Sequence, residues 1–257
     1  MSVFTSKPRT DGFGAQFQNI IFDILYAHNN AHNNAHNNAR HKYVFPQINS
    51  FAHNYDNDAS FNQTLIDYMN LKPYFLIPKN VKYAMIPYYN TSVTYRFCET
   101  NLTTLLNSNT FKHIQNIFFE NKTTPFNIAF YNVSVHVRRY NQHDDRVAGV
   151  DTPDNYYLNI IRFIRRRYNQ PKPLKFHIYS QGATSDFSMY AADDTEFHIN
   201  DTDVLNTFSG LVFADSLITS GSSLSYTAAI LNNGVIFYKR FWHKPANHWI
   251  IGDNIQT

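Results

Sequence analysis

From Asn127 onward the chain alternates two hydrophobic rhythms. Short apolar runs with β-branched residues read as strands, and stretches with apolar residues at helical spacing read as helices between them. In order, NIAFYNVSVHVRR (127–139) is a strand, DNYYLNIIRFIRRRYN (154–169) a helix, LKFHIYS (174–180) a strand and TEFHIN (195–200) a shorter strand. DVLNTFSGLVFA (203–214) is a helix, DSLITSG (215–221) a strand, SSLSYTAAILNN (222–233) a helix and GVIFYK (234–239) a strand. Such βαβ repetition predicts a parallel sheet with helices on both faces.

The first half is less regular. SVF (2–4) is a short strand, and DGFGAQFQNIIFDILYAH (11–28) is a glycine turn opening into an amphipathic helix. KYVFPQI (42–48) is the next strand. FNQTLIDYMNL (61–71) and LTTLLNSNTFKHIQNIFFEN (102–121) are helical, with YAMIPYY (83–89) as a strand between them. A boundary by NKTTPFN divides the chain into 1–125 and 126–257.

Composition narrows the classes. Hydrophobic residues make up 43% and charged residues 16%, the balance of a globular chain. A net charge of +3 is too small to imply nucleic-acid or membrane binding by itself. The single cysteine, Cys98, permits no internal disulfide and fits a reducing compartment. No stretch has the apolar length of a signal peptide or a membrane span, so the expected location is cytoplasmic. The repeat AHNNAHNNAHNNA, starting at Ala27, sets His28, His32 and His36 four apart. That spacing can hold zinc or nickel, but the repeat has no acidic ligand, and expansion of the coding repeat accounts for it.

Four stretches could carry chemistry. DGFGAQFQ (Asp11 to Gln18) exposes backbone N–H groups at a helix start, where a phosphate can sit, though it lacks the third glycine of a dinucleotide fingerprint. A plain tight turn explains it equally well. Arg138 and Arg139 follow a strand, and an arginine fork meets two phosphate oxygens at once. Adjacent residues point to opposite sides, so a mixed reading is open: one arginine for a ligand, the other for Asp144, Asp145 or Asp151. ITSGSSLSYTAAIL (218–231) puts small residues at another helix start, with Ser222 or Ser223 as the cap. The basic run from Arg162 to Lys175 reads as the solvated end of a helix, with a nucleic-acid contact as the alternative.

Together these segments resemble the fucosyltransferase superfamily, most of all α-1,2-fucosyltransferase-like proteins of bacteria, plants and large viruses. The resemblance rests on DGFGAQFQ, on HVRR (136–139) and on the segment from Asp203 to His243, with FAHN (51–54) and IYSQG (178–182) beside them. It implies two Rossmann-like halves in a glycosyltransferase B arrangement. The C-terminal half would bind the donor and the N-terminal half the acceptor. It further implies an inverting, metal-independent transfer from a nucleotide sugar, by default GDP-fucose, to a glycan hydroxyl, with no cofactor. Arg138 and Arg139 would hold the diphosphate. Gly12, Gly14, His136, Ser180, Ser222 and Ser223 would complete the donor site. Asp11, His136, Asp144 and Asp145 are the candidate bases. The family's Arg-Arg-Gly-Asp is broken here by Tyr140 and Asn141, which leaves the donor sugar open. The alternative is a non-catalytic nucleic-acid- or glycan-binding protein.

Overall fold

The computed structural model describes residues 2–33, 41–54, 56–139, 151–201 and 203–256. The chain divides into two compact units, Met1–Lys122 and Thr123–Thr257.

The first unit is built around a buried helix. A two-stranded parallel sheet pairs β1 (Ser2–Thr5) with β2 (His41–Val44). Between them α1 runs over Phe13–Asn33, so the helical repeat of apolar residues continues into the first AHNN units. His36 lies outside the described residues. Phe17, Ile20, Ile21, Ile24 and Leu25 are all buried, the face that their spacing predicts. Among the described residues four further α-helices follow: α2 (Phe61–Met69), α3 (Thr91–Thr100), α4 (Leu102–Leu106) and α5 (Asn109–Phe119). The expected helix over 102–121 is interrupted because Ser108 leaves helical geometry and its hydroxyl caps α5 by accepting from Phe111 N–H. The expected strand at YAMIPYY is instead a 3-10 turn at Tyr83–Met85 followed by a single bridge from Tyr88 to Thr5. Pro87 cannot donate to a ladder, although its carbonyl accepts from Thr5 N–H at 3.1 Å. The described residues of this unit thus hold two paired parallel strands, bridged to Tyr88, among helices.

The second unit is a doubly wound sheet. Its strands are β3 (Tyr131–His136), β4 (Leu174–Ser180), β5 (Thr195–Ile199), β6 (Ser216–Ile218), β7 (Val235–Tyr238) and β8 (Ile250–Ile251). They lie in the order β5-β4-β3-β6-β7-β8, and every pair is parallel. The helices are α6 (Asp154–Arg167), α7 (Val204–Val212) and α8 (Ser223–Leu231). The chain builds outward from β3 to β4 and β5, then returns by α7 to start again on the other side of β3 at β6. The strand order therefore reverses between β3 and β6.

The sequence VSVHV in β3 and just beyond gives the sheet two chemically different faces. Val133, Val135 and Val137 join Phe176 and Ile178 in a core with Tyr156, Tyr157, Ile160, Ile161 and Ile164 of α6. Asn132, Ser134 and His136 take the opposite face and are buried there too. That face packs on α7: Ser134 Oγ donates to Gly210 O at 2.6 Å. A Cβ on Gly210 would collide with the Tyr179 hydroxyl and the Cζ that carries it, with Cε1 at 2.9 Å. No helix among the described residues is long and apolar enough to cross a membrane.

Candidate functional site

Open parallel sheets bind ligands outside the carboxyl ends of their strands, where the strand order reverses. In this sheet that place is the gap between the ends of β3 and β6, and the residues meeting there belong to one unit. β3 ends at His136, followed by Val137, Arg138 and Arg139. β6 ends at Ile218, followed by Thr219, Ser220, Gly221 and the Ser222 cap of α8.

Side-chain hydrogen bonds lock the two ends together. His136 Nδ1 and Ser220 Oγ are 3.0 Å apart, both buried. Thr219 N–H donates to Phe237 O at 2.9 Å, and Thr219 Oγ1 accepts from Lys239 N–H at 2.8 Å, which fixes the β6 end against β7. Ser222 Oγ accepts from Leu224 N–H at 3.2 Å and caps α8. Ser222 and Ser223 are half-buried, so the start of α8 reaches solvent beside the β3 end. A nine-residue helix start in that position offers N–H groups and partial positive charge to an anion.

The arginine pair is divided. Arg139 ion-pairs with Asp154, the first residue of α6, and its guanidinium stands over the Phe187 ring at 5.5 Å. The Tyr190 hydroxyl donates to the same Asp154 carboxylate. Burial and that neighbouring carboxylate hold the Tyr190 phenol well above its ordinary range. Arg139 follows the parity of Val133, Val135 and Val137 toward the α6 face. By the same alternation Arg138 falls on the side of His136 and Ser220. Asp154 is thus a carboxylate paired with Arg139. Asp144 and Asp145 lie outside the described residues.

Ser180 ends β4, one strand away from the reversal. Its hydroxyl donates to Val137 O at 2.6 Å, so it braces the segment that leads into the arginines.

Asp11, Gly12 and Gly14 belong to the first unit. Asp11 ion-pairs with Arg9, and its carbonyl accepts from Ala52 N–H at 3.1 Å and from Gln16 Nε2 at 2.7 Å. Gln16 Nε2 also donates to Ser50 O at 2.9 Å. The DGFGAQ turn and the FAHN segment are therefore one stitched element. Gly12 is small because His53, held at a positive φ of 74°, brings its ring to 3.1 Å from where a Cβ would stand. Gly14 is already inside α1.

The basic run is largely engaged within its own unit. Arg165 forms a bidentate pair with Asp194 at 2.9 and 2.5 Å, and its guanidinium lies 4.9 Å from the Phe176 ring centre. Arg167 sits 4.9 Å from the Phe163 ring centre. Arg165, Arg166 and Arg167 occupy the last turn of α6, where cations suit the helix dipole.

No family model and no curated protein matches the chain. Among solved structures it is similar to the fucosyltransferase NodZ from Bradyrhizobium, at 13% identity and a TM-score of 0.41, over 90% of this chain and 94% of that one. It is also similar to a NodZ α-1,6-fucosyltransferase co-crystallised with GDP, at 13% identity and a TM-score of 0.41, over 93% of this chain and 96% of that one.

Proposed function

We propose that this protein is a glycosyltransferase that takes its sugar from a nucleoside-diphosphate donor, GDP-fucose by preference, and gives it to a glycan hydroxyl. The observation that carries the reading is the convergence between β3 and β6. A buried His136–Ser220 link, the chain leading into Arg138 and the Ser222-capped start of α8 meet at the reversal point of a doubly wound sheet.

The chemistry follows from charge. The acceptor oxygen attacks the anomeric carbon, the bond from that carbon to the donor phosphate oxygen breaks, and the acceptor proton passes to a base. Negative charge grows on the departing diphosphate. Donors already fixed at that place stabilise the transition state more than the ground state. Arg138 and the α8 start are those donors in this proposal, and no metal ion is required of them. Arg139 holds Arg138's segment against α6 through Asp154. Asp11, His136, Asp144 and Asp145 are the candidates for the base. His136 is tied to Ser220 through Nδ1.

The test is a melting-temperature panel with GDP, UDP and dTDP in the presence of chelator, followed by transfer assays with the matching sugars. Selective stabilisation by one nucleoside diphosphate supports the proposal. Stabilisation by none of them, or nucleic-acid binding that falls steeply with salt in their place, overturns it.

A further inference from the structure

We propose that His177, Glu196 and His198 form a binding site for a divalent transition-metal ion of the zinc class, which clamps the edge strand β5 to β4. Their ligand atoms all lie within 4.8 Å of one another. The proposal is independent of the transferase reading, because the site sits deeper in the sheet than the carboxyl edge.

Register brings the three together. His177 pairs with Glu196 and Tyr179 with His198 along β4 and β5, so alternation sends all four side chains to one face. His177 Nδ1 and His198 Nε2 are 3.1 Å apart. Glu196 Oε1 is 3.6 Å from His198 Nε2, and its Oε2 is 4.0 Å from His177 Nδ1. Ligands about 2.0–2.1 Å from a tetrahedral zinc ion stand ~3.3 Å from each other. The two nitrogens are at that spacing already. One carboxylate oxygen must close on His177 Nδ1 from 4.0 Å to ~3.3 Å, a shift that loosens its 3.8 Å pairing with Lys175.

The supporting hydrogen bonds settle which nitrogen of His177 is free to ligate. Asn132 Nδ2 donates to Asn127 O and Phe130 O, each at 3.2 Å, which turns its Oδ1 toward His177 Nε2 at 3.0 Å. A carbonyl oxygen only accepts, so His177 carries its proton on Nε2, and its Nδ1 lone pair faces His198 and Glu196. A ligating histidine is commonly oriented by such a bond from its second nitrogen. Phe126 packs on the His177 ring at 4.4 Å, and Tyr179 stacks on His198 at 4.5 Å and 10°. Both rings are therefore held before any ion arrives. Glu196 is 51% exposed, which leaves the outer side of the cluster open to a water as fourth ligand. Two histidines and one carboxylate suit zinc better than calcium or magnesium.

The competing arrangement is a metal-free pair in which His198 Nε2–H donates to His177 Nδ1. Equilibrium dialysis against Zn²⁺ separates the two. The chain should carry His28→Asn, His32→Asn and His36→Asn, so that the AHNN repeat contributes nothing. The expected result is one zinc per chain, a rise in melting temperature with zinc, and visible absorption of a tetrahedral ion when Co²⁺ replaces it. His198→Ala should weaken binding by more than the roughly 10–100-fold typical of losing an outer partner. Glu196→Gln, at a half-exposed position, keeps the fold in hand if His198→Ala melts. Zinc retention below one equivalent, or binding unchanged in both variants, overturns the proposal.

Discussion

Replacing Arg139 by alanine removes three contacts at once: the Asp154 ion pair, the cation over Phe187 and the charge that balances the Asp154–Tyr190 bond. The two charged side chains are 20% and 31% exposed, so the pair lies between a surface bridge and a buried one. A surface pair contributes about 0.2–1 kcal/mol, breaking a buried one costs about 3–5 kcal/mol, and a partly exposed cation over a ring adds about 0.5–1 kcal/mol. About 2 kcal/mol is the reasonable middle, a fall of roughly 4–8 °C in melting temperature for a chain of this size. Arg138→Ala should behave differently. On the proposed reading it removes a transition-state donor, and turnover should fall about 100-fold or more with little change in melting temperature. Calorimetry beside a transfer assay on both variants reads the two effects separately. Equal loss of stability in both variants, or near-normal turnover in Arg138→Ala, refutes the division of labour between the arginines.

Three further outcomes follow from other parts of the structure. Ser222→Asp keeps an N-cap of equal quality but puts a negative charge where the donor diphosphate is proposed to sit, so the melting temperature should hold while stabilisation by GDP disappears; unchanged GDP binding contradicts the site. Burial raises the Asp23 pKa to about 6, so the folded chain holds a proton there that the unfolded chain has released. The resulting stability is fully present below the ordinary carboxylate value near 4 and is lost as pH rises through about 6; Asp23→Asn should therefore gain on the order of 1–3 kcal/mol over wild type at pH 7.5 and little at pH 4, as read by urea titration at both values. Gly210→Ala drives a methyl onto the Tyr179 hydroxyl and should cost about 1–3 kcal/mol, with partial recovery when Tyr179 is also made leucine; a wild-type melting curve would show that α7 sits further from the sheet.

The second half of the chain was legible because its strands are buried on both faces and its helices are amphipathic, so each element announces its own type. LKFHIYS and β4 coincide residue for residue. The first half hid more. TSVTYRFCET is rich in β-branched and aromatic residues, yet it forms α3. Asn90 caps it by accepting from Ser92 and Val93 N–H, and Thr94 and Cys98 bury one face, so tertiary burial outweighs propensity. The Asp154 partner of Arg139 was hidden for a similar reason: Asp154 begins the helix that packs beneath β3, and only the folded sheet shows that. The cluster on β4 and β5 was half visible. Glu196-Phe-His198 places two ligands on one strand face, but the register that sets His177 beside them is a long-range property.

Polar burial on the second unit's sheet has one physical logic. Every buried polar group costs free energy unless it is hydrogen-bonded, and a stability-driven sheet would fill both faces with Val and Ile. The α6 face does so. The opposite face carries Asn132, Ser134, His136, His177 and Tyr179, and the interior members are bonded to one another or to α7. His136 stands beside Tyr179 in register, and Tyr179 stacks on His198. One tyrosine ring therefore joins the end of β3, where donor phosphate is proposed to bind, to the cluster proposed to bind metal. If both proposals hold, zinc at His198 fixes that ring, and the β3 end is stiffened through it. GDP affinity should then be higher with zinc than without it in wild type; a Tyr179→Phe chain that keeps the difference assigns the effect to the ring, and equal affinities in wild type refute the coupling.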